Sequence, residues 1–466
     1  MPLNPSFIGK AIPSAVAVMA VVSLSLWLGN TSVASLERRV PGTDEVPKPD
    51  GNAVSAISHG KLVVGSGVPA KLAGSWPSFR GADGSGVSRE TVPLRRAWPN
   101  DGPPLLWELE LGEGHAGAAV NDGRVYILDY DREAQADALR CLSFETGKEI
   151  WRFSYPVRTK RNHGMSRTVP AIADGLVVSL GPKCHVVCLD ANSGEFQWGI
   201  DLVKDYGTEI PPWYAGQCPL IEDGRVILAP GGKALIMAVD SATGEVLWET
   251  PNPRRWQMTH CSIVPMTFAG KRMFVYSGSG GVAAVSAEDG SPLWETDAWK
   301  ISIAAIATPV VVGDGLIFFS GGYNSGSMLV QLSEKNGQIA TKPVFRLKPE
   351  VFGATQQTPV FYEGHIYCVR PNGEFVCLDL QGKIKWASGP ERRFGLGPFL
   401  IANDLAFVMN DHGHMTLFEA TPAACRQLAE AQVLNGHDAW GPFALAGGRL
   451  LARDLTRMVC LDVRNP

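Results

Sequence analysis

The sequence repeats one short phrase, and this repeat constrains the fold more than any other feature. Its clearest copy runs from Ala238 to Trp248 and contains an apolar run, the pair Thr243-Gly244 and a second apolar run that ends in tryptophan. A tight hairpin turn favours glycine, because the turn needs a positive φ angle that a Cβ atom disfavours. The phrase therefore predicts two antiparallel strands, with a tryptophan placed to pack against a neighbouring unit.

Other copies of this phrase place a tryptophan at the same distance after the turn. They end at Trp151, Trp198, Trp294 and Trp386. A second phrase precedes each copy and consists of two apolar runs around Asp-Gly or a similar pair, as at Asp174-Gly175, which is a hairpin signal. Four strands that recur about every 40 to 50 residues are typical of the blades of a β-propeller.

The repeats predict an all-β fold, an eight-bladed β-propeller of four-stranded blades over residues 105–466. Counted by the first hairpin, the units begin near residues 117, 169, 217, 262, 307, 357, 397 and 441. The eighth unit lacks a tryptophan strand before the chain ends, and such a strand occurs instead at residues 105–111, around Trp107. We expect this segment to close the last blade, because closure leaves no blade without a neighbour.

Two segments carry a resemblance to a known family. The phrase Asp240 to Trp248 resembles the tryptophan-docking repeat of the PQQ-like (quinoprotein-type) β-propeller repeat proteins. Residues 75–81 (Ser-Trp-Pro-Ser-Phe-Arg-Gly) and 86–88 (Gly-Val-Ser) resemble the start of the bacterial members, close to the non-catalytic branch related to the outer-membrane assembly lipoprotein. The superfamily includes quinone-dependent alcohol dehydrogenases and propellers without a cofactor. The resemblance therefore implies the fold and leaves the activity open.

The N-terminal part precedes the propeller. Residues 12–29 are largely apolar, which predicts a transmembrane anchor or, alternatively, a cleaved signal sequence. Lys10 favours a cytoplasmic N-terminus over residues 1–11, followed after the apolar run by a flexible tether at 30–74 and a lead-in segment at 75–104. We expect a membrane-anchored protein with its propeller exported, periplasmic or otherwise extracytoplasmic, and a secreted one if residues 1–35 are cleaved. The first cysteine is Cys141, which argues against a lipid-modified cysteine after the apolar run.

Composition narrows the range of partners. The formal net charge is −4 and the pI is about 6.2 without a basic stripe, so the sequence argues against a nucleic-acid partner. Four of the nine cysteines, Cys141, Cys188, Cys377 and Cys460, occupy equivalent places in their repeats. A recurrent strand position favours small buried thiols over disulfide bridges.

Polar and aromatic residues collect in the loops that precede the first strands of the blades. In a propeller these loops meet at one end of the central channel, so we expect a ligand pocket there in which tryptophan stacks and polar groups orient the ligand. The alternative is that these groups only bind loop backbone and water. The candidate ligand-binding residues are His115, His163, Trp213, Gln217, Trp256, His260, Gln356, Arg393 and Trp440.

Sequence motifs for catalysis are not found. The resemblance implies that the quinone-dependent alcohol dehydrogenases of this superfamily have a vicinal cysteine pair and a set of acidic calcium ligands. This sequence has no adjacent cysteines and no dense acidic cluster. We therefore predict no catalytic residue, no metal and no cofactor, with PQQ and calcium disfavoured. The favoured function is a membrane-tethered binding scaffold for a protein, peptide or saccharide at the propeller face. The alternatives are a PQQ-dependent oxidoreductase, similar to alcohol dehydrogenase, and a propeller that binds a small molecule or saccharide.

Overall fold

The computed structural model describes residues 17–26, 56–99, 101–301 and 303–465. Residues 17–26 form an exposed helix, α1. Within the described ranges, no helix has both the length and the apolar character that a bilayer crossing requires. Parts of the N-terminal predictions lie outside the described residues: the cytoplasmic segment 1–11, residues 12–16 and 27–29 of the apolar segment, and residues 30–55 of the tether.

Residues 56–465 contain eight antiparallel sheets of four main strands, which confirms the predicted eight-bladed propeller. Before the first blade come a 3-10 helix (Ala56–His59), β1 (Lys61–Val64), β2 (Val87–Ser88) and β3 (Leu105–Glu110). Blade 1 contains β4 (Ala119–Asn121), β5 (Arg124–Asp131), β6 (Ala136–Ser143) and β7 (Glu149–Pro156). Blade 2 contains β8 (Ala171–Ala173), β9 (Leu176–Leu180), β10 (His185–Asp190) and β11 (Phe196–Asp201), and the short helix α2 (Leu202–Tyr206) follows it. Blade 3 contains β12 (Leu220–Glu222), β13 (Arg225–Leu228), β14 (Ala234–Asp240) and β15 (Val246–Pro251).

Blades 4 to 8 follow in chain order, and within each blade the strands run from the channel outwards. They contain β16 (Val264–Phe268), β17 (Lys271–Gly278), β18 (Gly281–Ser286), β19 (Pro292–Thr296); β20 (Val310–Gly313), β21 (Leu316–Gly321), β22 (Gly326–Lys335), β23 (Gln338–Leu347); β24 (Val360–Tyr362), β25 (His365–Val369), β26 (Phe375–Asp379), β27 (Ile384–Ala387); β28 (Phe399–Ala402), β29 (Leu405–Met409), β30 (His414–Glu419), β31 (Gln427–Gln432); and β32 (Gly441–Ala446), β33 (Arg449–Arg453), β34 (Arg457–Asp462).

The eighth blade joins the two ends of the propeller chain. Its strand order is β3-β34-β33-β32, so β3 forms the outer strand, with Trp107 opposite Cys460. Two arginines of this blade reach blade 1: Arg449 donates to the carbonyl of Phe144, and Arg453 donates to the carbonyl of Leu128 at 3.4 Å. The closure predicted at residues 105–111 is therefore present.

Tryptophans on the outer strands dock onto the next blade. Their indole N–H groups donate to backbone carbonyls there, from Trp107 to Phe144, Trp151 to Ala191, Trp198 to Ser241 and Trp386 to Thr421. The ring also covers the glycine turn of that blade: a Cβ atom on Gly147 would lie 2.7 Å from the Trp107 ring. Two properties of this position favour glycine. Its φ is +69°, and the tryptophan ring packs where a Cβ atom would stand.

Hydroxyl and thiol side chains link neighbouring blades close to the channel. The backbone N–H of Val169 donates to Cys218 Sγ (3.3 Å), that of Cys218 to Ser262 Oγ (3.0 Å), that of Ser262 to Thr308 Oγ1 (3.4 Å), and that of Thr308 to Thr358 Oγ1 (3.0 Å). These contacts satisfy buried N–H groups that face the next blade. Cys218 is therefore a structural residue, and all nine cysteines are free thiols in the described chain.

The tether differs from the prediction over its last part. Ile57 is buried, and β1, at residues 61–64, pairs antiparallel with β7 as a fifth strand of blade 1. An outer blade strand presents unpaired N–H and C=O groups, and β1 satisfies those of β7. The sequence predicts a flexible tether here because only the short run at residues 61–64 interrupts a region rich in Pro and Gly.

The lead-in segment crosses the channel. Trp76 exchanges two backbone hydrogen bonds with Val120 of blade 1, and the carbonyl of Pro77 accepts from Ile172 of blade 2. On the other side, β2 pairs in parallel with β28 of blade 7, where Val87 lies opposite Ile401. These partners lie within the innermost strands, beyond the loops that precede those strands. The segment therefore satisfies the channel-facing strand edges and forms a floor beneath the loops.

Candidate ligand-binding site at the channel mouth

A cavity of about 380 Å³ lies between this floor and the loops that precede the innermost strands. Trp76, Phe79 and Arg80 come from the lead-in segment, and Trp76 is almost completely buried. At the other end, His163 and Tyr323 are exposed. The cavity is thus a cup with a buried floor and a polar, aromatic rim, which is the expected shape of a small-ligand site.

The structure brings together six of the nine predicted residues. The cavity is lined by His115, His163, Trp213, His260, Gln356 and Trp440. They come from six different inter-blade loops, and the sequence predicts their convergence because the innermost strands all begin at the same end of the channel. Whether they bind a ligand stays a prediction.

The other three predicted residues do not line the cavity. Gln217 is buried, and its amide exchanges two hydrogen bonds with the backbone of Ala229. Trp256 is buried and packs over the turn between β17 and β18, where a Cβ atom on Gly280 would lie 2.0 Å from the indole nitrogen. Arg393 is exposed, and its backbone bridges to Glu374. For Gln217 and Trp256, the alternative of a structural role accounts for these contacts.

Arg167 lies in the loop that precedes β8, the innermost strand of blade 2, and places a positive charge at the cavity. Its Nε donates to the carbonyl of Trp213, and its Nη2 lies 2.8 to 3.1 Å from the carbonyls of Asn162, His163 and Gly164. The positive φ angles of His163 and Gly164 (+52° and +80°) turn these carbonyls towards one donor. Burial lowers the pKa of Arg167 to about 10, so the guanidinium remains charged at neutral pH.

Arg80 is a second cation, and it fixes the floor. Its guanidinium makes four hydrogen bonds to backbone carbonyls, two within the lead-in segment and two to Thr358 and Pro359 of blade 6. Its own φ is +67°, a left-handed conformation that is rare for a residue with a Cβ atom. Burial lowers the pKa of Arg80 to about 10. No carboxylate pairs with Arg80 or Arg167 among the described residues.

Two histidines line the cavity in the neutral form. Burial and the charge of Arg167 lower the pKa of His115 to about 3 and that of His260 to about 4. Nε2 of neutral His115 donates to the carbonyl of His163 at 2.6 Å, so its Nδ1 is left as an acceptor. The His115 ring lies 5.0 Å from that of Trp440, and the His260 ring lies 6.3 Å from that of Trp213. The positive charge of the cavity therefore comes from the arginines.

Sequence reasoning missed Arg80, Arg167 and Tyr323 as cavity residues. Arg80 stands in the run 75–81, which resembles the start of the family members and gives no separate signal for a cavity residue, and Arg167 follows the Arg161–Gly164 stretch by three positions. Tyr323 comes from the turn between β21 and β22, which reaches the same end of the channel as the inter-blade loops. The Gly-Gly pair before Tyr323 was an available signal for a second kind of rim loop.

A calcium-bound quinone does not fit the residues of this site. Calcium takes about six to eight oxygen ligands, with carboxylates prominent among them. Across the described chain, no three His, Cys, Asp or Glu side chains are grouped as a metal site needs, and the described residues that line the cavity include no carboxylate.

Fold and site together define an eight-bladed PQQ-like propeller with a basic, aromatic cavity at one end of its channel. A family comparison agrees with this fold. The model of the family described as outer membrane protein assembly factor BamB matches residues 135–388, more than half of the chain, and the chain belongs to that family.

Individual relatives are distant. The chain is 24% identical over 297 residues to outer membrane protein assembly factor BamB of Yersinia pestis, covering 50% of this chain and 72% of that protein. The crystal structure of BamB from Moraxella catarrhalis has a TM-score of 0.54 at 15% identity, covering 77% of this chain and 99% of that one. The quinohemoprotein alcohol dehydrogenase from Comamonas testosteroni has a TM-score of 0.59 at 14% identity, covering 84% and 81%. At such identities the solved structures show the fold alone.

Proposed function

We propose that this protein is an exported, membrane-associated binding propeller that holds a polypeptide partner at the mouth of its channel without a chemical step. The observation that carries the proposal is the cup-shaped cavity, with a floor fixed by Arg80 and a rim that includes Trp213, Trp440 and Tyr323. Aromatic residues on rigid loops provide large contact area at a low cost in conformational entropy.

The relatives support a polypeptide as the partner. They are named as factors of outer membrane protein assembly, and that name concerns those proteins. Applied to this chain, it favours a protein partner over the saccharide and small-molecule alternatives. The apolar segment 12–29 provides the membrane association, and the propeller faces the periplasm.

Site-specific cross-linking tests this function. A photo-reactive amino acid replaces Gln356, which lines the cavity and makes no hydrogen bond to the described residues. The matched control replaces Asp174, an exposed residue in the turn after β8, at the opposite end of the innermost strands. We expect illuminated cells to yield a defined polypeptide adduct at position 356 and none at position 174.

Two outcomes would contradict this function. Adducts at 174 that equal or exceed those at 356 would move the binding surface away from the mouth. Illumination that yields no polypeptide adduct at 356, with the purified protein folded, would exclude a polypeptide there and favour the saccharide or small-molecule alternative.

A further inference from the structure

The cavity contains hydrogen-bonding groups that no described residue satisfies, and these groups specify a ligand. The Nη1 atom of Arg167 takes no part in the four hydrogen bonds of that side chain, so two N–H groups of a charged guanidinium have no acceptor among the described residues. An arginine with a free nitrogen and no paired carboxylate matches an anion, such as a carboxylate that accepts from Nη1.

The remaining unsatisfied atoms include two acceptors, His115 Nδ1 and Gln357 Oε1. His115 Nδ1, His260 Nε2 and Gln357 Oε1 are buried and have no hydrogen-bond partner in the described chain, and all three residues line the cavity. The orientation of the Gln357 amide is fixed, because its Nε2 donates to the carbonyls of Gly395 and Gly397 at 2.9 and 3.0 Å. A ligand that matches these atoms must carry an N–H or O–H donor beside its anionic group.

The rest of the lining is apolar and aromatic. Trp76, Phe79, Phe399 and Phe443 line the cavity together with the two rim tryptophans. An aromatic or branched apolar group of the ligand would bury its surface here.

We propose that the cavity binds an N-acylated aromatic amino acid through its free carboxylate, either as a small molecule or as the C-terminal residue of a polypeptide. Such a residue combines the three required features: a carboxylate for Arg167, an amide N–H for the unsatisfied acceptors and an aromatic side chain. This inference rests on the proposed function and specifies the chemistry recognised at the same mouth.

Calorimetric titration of the full chain, purified in detergent, tests the ligand class with four probes. They are N-acetyl-phenylalanine, its C-terminal amide, 3-phenylpropanoate and N-acetyl-glycine. We expect the first to bind best, with affinity lower by about tenfold for the amide, which lacks the charge. The probes that lack the N–H donor or the ring should each lose about tenfold as well.

Variants connect the binding to the cavity. Arg167→Gln should abolish the preference for the acid over the amide, while Arg158→Gln, an exposed arginine of the same loop, should preserve it. Since Arg167 also holds its loop, a second variant is needed: Gln356→Glu places a negative charge in the cavity without removing a hydrogen bond, and should weaken acid binding about tenfold. Melting curves of all variants show whether the fold is intact.

A peptide that ends in phenylalanine separates the two sources of the ligand. If the peptide with a free terminus binds and its amidated form does not, a polypeptide C-terminus can enter the cavity. If N-acetyl-phenylalanine binds and the peptide does not, the ligand is a free small molecule.

Several results would overturn the inference. Equal affinity for acid and amide, or PQQ binding more tightly than every monocarboxylate, would exclude this ligand class. If none of the probes binds while cross-linking at position 356 still yields a polypeptide, the ligand class is wrong and the proposed function stands. If both fail, both proposals fall.

Discussion

Trp107→Ala should lower the free energy of unfolding by about 4 kcal/mol, the range expected for a large buried aromatic residue cut to alanine. Trp107 is 7% exposed, covers the Gly147 turn of blade 1, and donates its indole N–H to the carbonyl of Phe144 at 3.1 Å. Because this residue joins the outer strand of blade 8 to blade 1, its loss weakens the region where the two ends of the propeller chain meet.

Neighbouring substitutions provide the controls. Leu106 lies on the same strand and is 36% exposed, so Leu106→Ala should cost less than about 1 kcal/mol. Trp107→Phe keeps most of the apolar contact and loses the hydrogen bond, for a cost of about 1 to 2 kcal/mol. Urea unfolding followed by fluorescence and circular dichroism measures all three. Equal midpoints for Trp107→Ala and Leu106→Ala would show that the junction contributes no special stability. Deleting residues 105–111 should leave β34 as an open edge and cause aggregation.

Asp137→Asn should change from destabilising at pH 5 to stabilising at pH 8. Asp137 is 1% exposed in β6, accepts a hydrogen bond from Tyr155 Oη at 2.7 Å, and leaves its Oδ1 unpaired in the described chain. Burial raises the pKa of this carboxyl group from 3.8 to about 7, with a smaller contribution from nearby Asp129. Between these two values the folded state binds more protons than the unfolded state, so the stabilising contribution is complete at low pH and is lost as the pH rises through about 7.

An asparagine has no such titration. At pH 5 the variant should be about 1 kcal/mol less stable, because its amide N–H groups lack acceptors where Oδ1 stood. From pH 5 to pH 8 the difference in the free energy of unfolding should shift by about 2 to 3 kcal/mol in favour of the variant. Urea titrations at both pH values measure this shift. Asp101→Asn, at an exposed position, is the control and should show no trend. A difference that stays constant with pH would show that Asp137 is ionised in the folded protein throughout.

The propeller fold was predictable because short sequence patterns that specify hairpins recur along the chain. The glycine-to-tryptophan spacing predicts each outer hairpin, and the missing tryptophan of the last unit predicts the closing role of Trp107. Convergence of the mouth loops follows from the repeat alone, which is why His115, Trp213 and Trp440 could be predicted to meet.

The remaining cavity residues depend on contacts between distant segments. Arg80 is a floor residue because its guanidinium binds carbonyls of blade 6, about 280 positions away in the chain. Arg167 lies at the cavity because a turn at His163 and Gly164 directs three carbonyls at it. Trp256 shows the opposite case: its loop position matches that of the rim residues, yet a glycine-lined turn in its own blade offers a better place for the ring. Sequence position alone does not distinguish these outcomes.

Closure through β3 has a consequence for the order of events during biosynthesis. The ribosome releases residues 105–110 long before residues 457–462, and the strand they form has its ladder partner only in the latter. Contacts of such separation carry a large loop-closure cost and slow folding. The early tryptophan strand must therefore remain without its ladder partner until the last blade has been made. During that interval the unpaired strand is a place at which the incomplete chain can aggregate.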